Sequence, residues 1–348
     1  MKLGFVAIGV MAPLLLSGVV AIGSEAVGES GEISVLRGHT FGTHYEISLR
    51  PDGADGRLES MHADIRVIFD RVDRQMSTWR EDSELNRLSR HPEGEWMAVS
   101  DPLFDVLATG QRIARETDGA FDMTIGELID LWGFGPAGEV DGAPGDYQLA
   151  SAVRHAGYEH LELDEQRLTA RRLGMFRLDL SAIAKGHGVD EVARYLDDQG
   201  ITHYLIKVGG DMYARGLRAN DRPWQVALEV PDSAVLRQPY TIIPVTDIAV
   251  ATSGSYRDFI ERDGRRYTHV IDPRTGQPVD HALVSATVLN DSAALADAYS
   301  TGLLVLGSDA AAFAASHDLK VILVKRTESG FVDWQSPAMK AYLAQPLH

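Results

Sequence analysis

The sequence predicts an α+β fold. Segments of helical and of two-residue periodicity are mixed without regular alternation, a run of short strands fills the region from Tyr204 to Ile271, and neither an internal repeat nor a long linker divides the chain. With 348 residues, 45% of them hydrophobic, the chain is large enough to bury a real core.

In chain order, Ile33 to Arg50 reads as a strand pair interrupted at Phe41-Gly42-Thr43. Leu58, Met61, Ile65, Ile68, Phe69, Val72 and Met76 recur at helical spacing and predict an amphipathic helix. A second helix fits Ser100 to Glu116, with a serine at the N-cap, an early Asp101-Pro102, and Leu103, Val106, Leu107 and Ile113 on one side. The Gly/Pro-rich stretch Gly133 to Gly145 is a loop, followed by a short helix from Asp146 and alternating segments near Glu159 to Leu163 and Met175 to Leu180. A helix over Ala184 to Gln199 leads to short strands at Tyr204 to Val208, Trp224 to Glu229, Tyr240 to Val245, Ile248 to Ala251 and Tyr267 to Ile271. A strand at Val284 to Leu289 then precedes a strongly apolar helix from Ser292 to Leu306.

Composition narrows the function. A formal net charge of −17 argues against a nucleic-acid surface, which needs clustered Lys and Arg. With no cysteine, the chain has no disulfide framework, thiolate metal site or cysteine nucleophile. Lys2 precedes an almost unbroken apolar run from Leu3 to Ile22 without a polar face, ending at Gly23-Ser24-Glu25-Ala26. That pattern predicts export, with residues 1–26 acting as a signal peptide or an uncleaved anchor and residues 33–345 as the catalytic region. No G-x-G-x-x-G follows a strand, and the P-loop, H-E-x-x-H and G-x-S-x-G patterns are absent.

Four polar clusters remain. Thr117 to Asp122 ends a helix and continues to Leu131-Trp132-Gly133-Phe134-Gly135; a plain glycine stop with aromatic packing competes with a functional reading. In Leu178-Asp179-Leu180-Ser181-Ala182-Ile183-Ala184-Lys185-Gly186-His187-Gly188-Val189-Asp190, a strand end carrying Asp179 runs into a helix start. Free N–H groups there, with Lys185, can hold an anion such as pyrophosphate. Capping accounts for the acid and the serine but not for a lysine at the positive end of the helix dipole. The third cluster runs from Ala251 to Arg257 and resumes at Tyr267-Thr268-His269-Val270-Ile271-Asp272-Pro273, where a strand and a Pro/Gly turn are the plain alternative. In the fourth, Asp297, Ser300 and Thr301 stand at i, i+3 and i+4 of a helix, so three oxygen-bearing side chains share one face that suits Mg²⁺; a simple ion pair of Asp297 with a nearby Arg or Lys is the competing reading.

Taken in order, Phe41-Gly42-Thr43, Met76-Ser77-Thr78-Trp79, Asp118 to Gly135, Asp179 to Asp190, Val208-Gly209-Gly210-Asp211, Ala251 to Tyr256, His269 to Pro278 and Asp297 to Thr301 closely resemble the ApbE family of FAD:protein FMN transferases. The resemblance spans Val35 to the C-terminus. It implies a two-lobed α+β fold, with mixed or antiparallel sheets and packed helices, that holds FAD and a divalent metal. The family positions that contact FAD fall on Phe41, Trp79, Ala120, Phe121, Asp122, Asp179, Lys185 and Ile271; those that hold Mg²⁺ fall on the Ala182 carbonyl, Asp297, Ser300 and Thr301. Two departures stand out. Many members carry a lipoprotein cysteine that this chain lacks, and Phe41 replaces the methionine usual before Gly-Thr.

The activity so implied is Mg²⁺-dependent transfer of FMN from FAD to an acceptor threonine, with AMP released. The family's acceptors are subunits of sodium-translocating NADH:quinone oxidoreductase, of the related Rnf complex, and other exported flavoproteins, which places the protein in the periplasm, soluble or tethered to the inner membrane. FAD hydrolysis to FMN and AMP, and FAD binding without turnover, are the alternatives. His269 is the expected base, because an imidazole with an ordinary pKa of about 6.5 is partly free to accept a proton near neutral pH.

Overall fold

The computed structural model describes residues 33–50, 56–138, 140, 142–232, 238–256, 258–262 and 264–345. The expected export segment, residues 1–26, and Arg257 of the third cluster lie outside them.

Phe41 and Gly42 both take positive φ, 49° and 71°, and so form the tight turn that matches the twist of a two-residue hairpin. They join β1 (Ser34–Thr40) to β2 (Thr43–Leu49), with Thr40 opposite Thr43. Next comes α1 (Leu58–Met76), whose Met61, Ile65, Ile68, Phe69, Val72 and Met76 are all buried, the stripe its spacing predicts. A helix not expected from the sequence, α2 (Glu84–Arg90), is capped by the Ser83 hydroxyl, which accepts from Asn86 N at 3.1 Å. After β3 (Met97–Ala98), α3 (Asp101–Glu116) begins with Ser100 at the N-cap position. Ser100 makes no capping bond: its hydroxyl donates to Glu84 at 2.7 Å and its amide donates to the other oxygen at 2.6 Å, so the serine is tied to α2 instead of capping α3.

Two further helices follow, α4 (Gly126–Trp132), also unexpected, and α5 (Asp146–His155). The ribbon β4 (Leu161–Asp164) and β5 (Thr169–Arg172) comes next. Residues 175–180, expected as an alternating strand, make only a single parallel bridge, Arg177 with Ile125. The alternation is real, since Phe176, Leu178 and Leu180 are buried, but the backbone finds other partners: Leu178 N donates to the Ser89 hydroxyl and Asp179 N to the Met123 carbonyl.

The chain continues as α6 (Ala184–Asp198), β6 (Tyr204–Val208), β7 (Asp211–Arg215), β8 (Trp224–Glu229), β9 (Pro239–Val245) and β10 (Ile248–Gly254). The short pairs β11 (Phe259–Arg262) with β12 (Arg265–Thr268) and β13 (Ile271–Asp272) with β14 (Gln277–Pro278) come next. Last are β15 (Leu283–Asn290), α7 (Ala293–Leu306), α8 (Ala310–Ser316), β16 (Lys320–Thr327), β17 (Gly330–Gln335) and α9 (Pro337–Leu343).

Eight strands form one sheet in the order β1-β2-β6-β7-β10-β15-β16-β17, and every neighbouring pair is antiparallel, which bears out the α+β reading. Side chains alternate between its faces. Tyr45, Ile47, Tyr204, Ile206, Ala249, Ala251, Val321 and Leu323 join the main core with α1, α3, α6 and α7. Leu205, Ile248, Val250, Ile322 and Val324 face the other way, against the β8–β9 ribbon and α9. Each such aliphatic side chain, fully buried, stabilises the fold by roughly 1.5–3 kcal/mol.

Helix α7 lies between the sheet and the helices α3 and α6, and is buried on nearly every side. Its approach to α6 depends on Gly186: a Cβ there would stand 2.3 Å from the Ala293 carbonyl oxygen and 2.7 Å from Ala294 Cα. A third, smaller core of Leu128, Trp132, Leu149, Ala152 and Ile271 ties α4 and α5 to β13. Its anchor is the Trp132 indole, which donates to the Gly276 carbonyl at 2.8 Å.

Candidate active site

The helix start at Ala184, the hairpin turn at Phe41-Gly42 and the outer end of β10 border one cavity of about 510 Å³, within the range of a small-molecule site. All eight residues expected to contact FAD line it: Phe41, Trp79, Ala120, Phe121, Asp122, Asp179, Lys185 and Ile271. Ala182, Asp297, Thr301 and His269 line it too.

The apolar wall combines the Phe41 ring, set edge-on to Phe69 with centroids 5.6 Å apart, with Phe121, Ile125, Ile129 and Ile271. Trp79 stands at the edge with 68% of its surface exposed, so much of its indole is accessible to a stacking partner. Tyr256 also lines the cavity; burial, and then the nearby Asp258 charge, push its phenol up to about 12, so it remains a donor at neutral pH.

Two of the expected contact residues use their carboxylates to shape loops. Asp122 accepts from Thr124 N and Oγ1 at 2.8 and 2.7 Å and from Tyr158 N at 2.9 Å; burial raises its pKa against those bonds. Asp179, which lies on no strand, accepts from Ser181 N at 2.9 Å, from the Ser181 hydroxyl, and from Thr78 Oγ1 at 3.0 Å. It thereby shapes the turn that carries Ala182 to the cavity.

At the polar end, Lys185 and Asp297 meet directly. Nζ of Lys185 lies 3.1 Å from Asp297 Oδ2, 3.2 Å from Asp211 Oδ2 and 3.0 Å from the Ser181 carbonyl. The sequence reading set a lysine for an anion and an aspartate for a metal; the fold makes them one network, because Gly186 lets α6 and α7 touch. Asp297 also accepts weakly from Gly186 N at 3.4 Å, at the amino end of α6. Burial works against the Lys185 charge, but the two carboxylates outweigh it and hold the pKa above its ordinary value. Burial first, and then repulsion from Asp297, push Asp211 up to about 7 even though Lys185 pulls it down.

Ser300 is placed differently from its two partners on α7. It is fully buried, it is not among the residues lining the cavity, and its hydroxyl donates to the Asp297 carbonyl at 2.9 Å. Ser253 Oγ lies 2.8 Å from Ser300 Oγ and 2.9 Å from Thr301 Oγ1. Each hydroxyl has one proton, and that of Ser300 is committed, so Ser253 donates to Ser300 and Thr301 donates to Ser253. Thr301 therefore keeps its lone pairs for the cavity.

The strand expected over Tyr267 to Ile271 breaks after Thr268, and His269 follows β12 rather than lying within it. Its backbone N and its Nδ1 both lie against the Asp258 carbonyl, at 3.1 and 3.0 Å. A carbonyl only accepts, so Nδ1 carries a proton, and in the neutral ring the lone pair is on Nε2. Phe134 packs edge-on to the ring at 6.3 Å.

Asp211 and Ser253 were missed as individual site residues. Their signals were a carboxylate directly after the Gly209-Gly210 turn and a hydroxyl at the outer end of a buried strand.

Comparison with known proteins bears on the sequence and the fold. The ApbE family model matches residues 41–323. A FAD:protein FMN transferase of Vibrio cholerae is 40% identical over 313 residues, covering 89% of this chain and 92% of the relative; that of Escherichia coli K12 is 35% identical over 320 residues, 90% of each. Among solved structures, the flavin transferase ApbE from Vibrio cholerae superposes with a TM-score of 0.82 at 38% identity over 89% of this chain and 99% of its own. The apo flavinyl transferase ApbE of Pseudomonas stutzeri gives 0.83 at 32% identity over 91% and 98%. On the match of sequence and fold, the chain belongs to the ApbE family.

Proposed function

We propose that the protein is a FAD:protein FMN transferase that moves FMN from FAD to the hydroxyl of an acceptor threonine and releases AMP. The observation that carries this reading is the convergence, around one cavity, of an exposed tryptophan and apolar wall, a lysine–carboxylate–hydroxyl end, and a histidine with a free Nε2. The names and the fold of its relatives support it.

The aromatic wall suits the flat rings of FAD and the Lys185 ammonium suits its pyrophosphate; the amides expected to help there are engaged, Ile183 N and Ala184 N with the Leu180 carbonyl and Gly186 N with Asp297. The threonine Oγ attacks the FMN-side phosphorus, an O–P bond forms, the bridging P–O bond breaks, and AMP carries away the bridging oxygen. The threonine proton passes to Nε2 of His269, held toward the cavity by the Asp258 carbonyl.

Mg²⁺ fits the donor set. The Asp297 carboxylate, the Thr301 hydroxyl and the Ala182 carbonyl are hard oxygen donors on one cavity, with Ser300 acting from behind through Ser253. Among the described residues no three His, Cys, Asp or Glu side chains form a metal cage, and Mg²⁺ commonly takes one or two carboxylates with substrate phosphates instead. When bound, it would offset charge developing on the pyrophosphate.

The apolar run Leu3 to Ile22 supports a periplasmic location, soluble or tethered, and exported acceptors such as subunits of sodium-translocating NADH:quinone oxidoreductase or Rnf complexes. Among the described residues no helix is long and apolar enough to cross a membrane.

Incubation with FAD, Mg²⁺ and a threonine-bearing acceptor peptide tests the reading. Transfer gives AMP together with flavinylated peptide. AMP alone would mean hydrolysis, and neither product would mean a binding protein.

A further inference from the structure

Asp211 is the buried acid that the transfer reaction leaves without a role. It opens β7 directly after the Gly209-Gly210 turn, only 2% of its surface is exposed, and it pairs with Lys185 at 3.2 Å. A buried carboxylate of this kind is costly unless a cation stands beside it. The arrangement is asymmetric. One ammonium serves two carboxylates that both line the cavity, and only Asp297 stands on α7 beside Thr301.

A second cation held by Asp297 would repel the ammonium 3.1 Å from the same carboxylate. Without another anchor the lysine would swing away from the cavity. Asp211 supplies that anchor from the first residue of β7, and the Ser181 carbonyl supplies a third contact at 3.0 Å.

We propose that Asp211 is a positioning residue: it holds Lys185 Nζ at the cavity wall, so that the ammonium stays available to the pyrophosphate of FAD while Asp297 is engaged with a divalent cation. This rests on the proposed FAD site. It assigns Asp211 no contact with substrate; its influence runs through Lys185.

The test is a double-mutant cycle read by FAD affinity, measured by flavin fluorescence in the full protein with MgCl₂ present, on wild type, Asp211→Asn, Lys185→Met and the double variant. Loss of a charge-assisted bond is expected to weaken FAD binding by about tenfold or more in each single variant. The double variant should bind FAD no more weakly than Lys185→Met alone. Additive losses, or an Asp211→Asn protein that binds FAD as wild type does, would overturn the proposal. Circular dichroism melts check the fold. Should Asp211→Asn not fold, Asp211→Glu, which keeps the charge and displaces it, is expected to give a smaller loss that again vanishes in the Lys185→Met background. Calorimetric titration of wild type and Asp297→Ala with MgCl₂ alone reads the metal assignment separately: its failure leaves the cycle interpretable, and an additive cycle beside normal Mg²⁺ binding removes only the role given to Asp211.

Discussion

Two groups of residues that line the cavity are built on opposite plans. Asp211 and Asp297 are 2% and 3% exposed, on a strand of the central sheet and on a helix submerged in the core. By contrast, Trp79 is 68% exposed, and His269 sits between two short strand pairs that are not part of the large sheet. Charges that must keep a fixed geometry are embedded where packing allows little movement. Groups that meet an incoming ring or an incoming protein are left where they can be reached, on loops held by a rigid frame.

The largest expected effect breaks the second group chemically without touching its fold. His269→Asn should lower the rate of transfer to threonine about a hundredfold to ten-thousandfold, as loss of a general base does, while FAD affinity and melting temperature stay at wild-type values. Single-turnover mass spectrometry of the acceptor peptide reads it. A variant that binds FAD normally and transfers at the wild-type rate removes His269 from the chemistry.

Gly186→Ala attacks the embedded group through its packing. The atoms a new methyl would meet are backbone atoms of α7, so nothing can rotate aside, and the expected loss of stability is about 1–3 kcal/mol or more. Chemical denaturation gives the number. An unchanged midpoint would show that the helices can part freely and that the buried carboxylates are not held by packing.

Trp79→Ala sharpens the same contrast from the exposed side. Stability should stay within about 0.5 kcal/mol, as for surface substitutions in general. Kd for FAD should rise about tenfold, in line with the roughly 1–3 kcal/mol that aromatic stacking contributes per base. Equal losses in both would make Trp79 a structural residue.

The smallest effect is a pH dependence. Asp211 is pushed up to about 7 in the fold, against an ordinary value of about 3.9 in the unfolded chain. The folded state therefore binds the extra proton between those values. The associated stability is complete below about pH 4 and is lost as pH rises toward 7. Asp122 and Asp190, also raised by burial, act in the same direction, whereas His187, lowered by burial, acts in the opposite one. The clean measurement is thus a difference: the change in urea midpoint from pH 5 to 7.5 should shift in Asp211→Asn relative to wild type, and identical pH profiles would contradict the raised value.

Legibility in the sequence follows the same division. The span of α1 was readable to the residue, and α6 and α7 nearly so, because each has a long uninterrupted pattern. The helices α2 and α4, seven residues each, were not, since so short a window shows barely two turns of periodicity. Residues 175–180 show the opposite failure: side-chain alternation without a ladder, because Ser89 and Met123 take the backbone bonds. Ser100 looked like a cap and instead binds Glu84, a partner sixteen residues away that no local pattern identifies. At the site, residue types and spacings picked out Lys185, Asp297, Thr301 and His269 as polar groups worth attention. That the lysine and the aspartate touch, that Ser300 turns inward and that Asp211 completes the network are consequences of tertiary approach.

The hydroxyl chain from Thr301 through Ser253 and Ser300 to the Asp297 carbonyl runs in one direction only. Three O–H dipoles are therefore aligned, each with its negative end toward the cavity, and each bond polarises the next. The oxygen that emerges at Thr301 is accordingly more electron-rich than a solitary threonine hydroxyl, and a neutral side chain gains part of the pull of an anion. Two serines without any charge thus extend the field of the site, and they do so without adding a third buried carboxylate for Lys185 to neutralise.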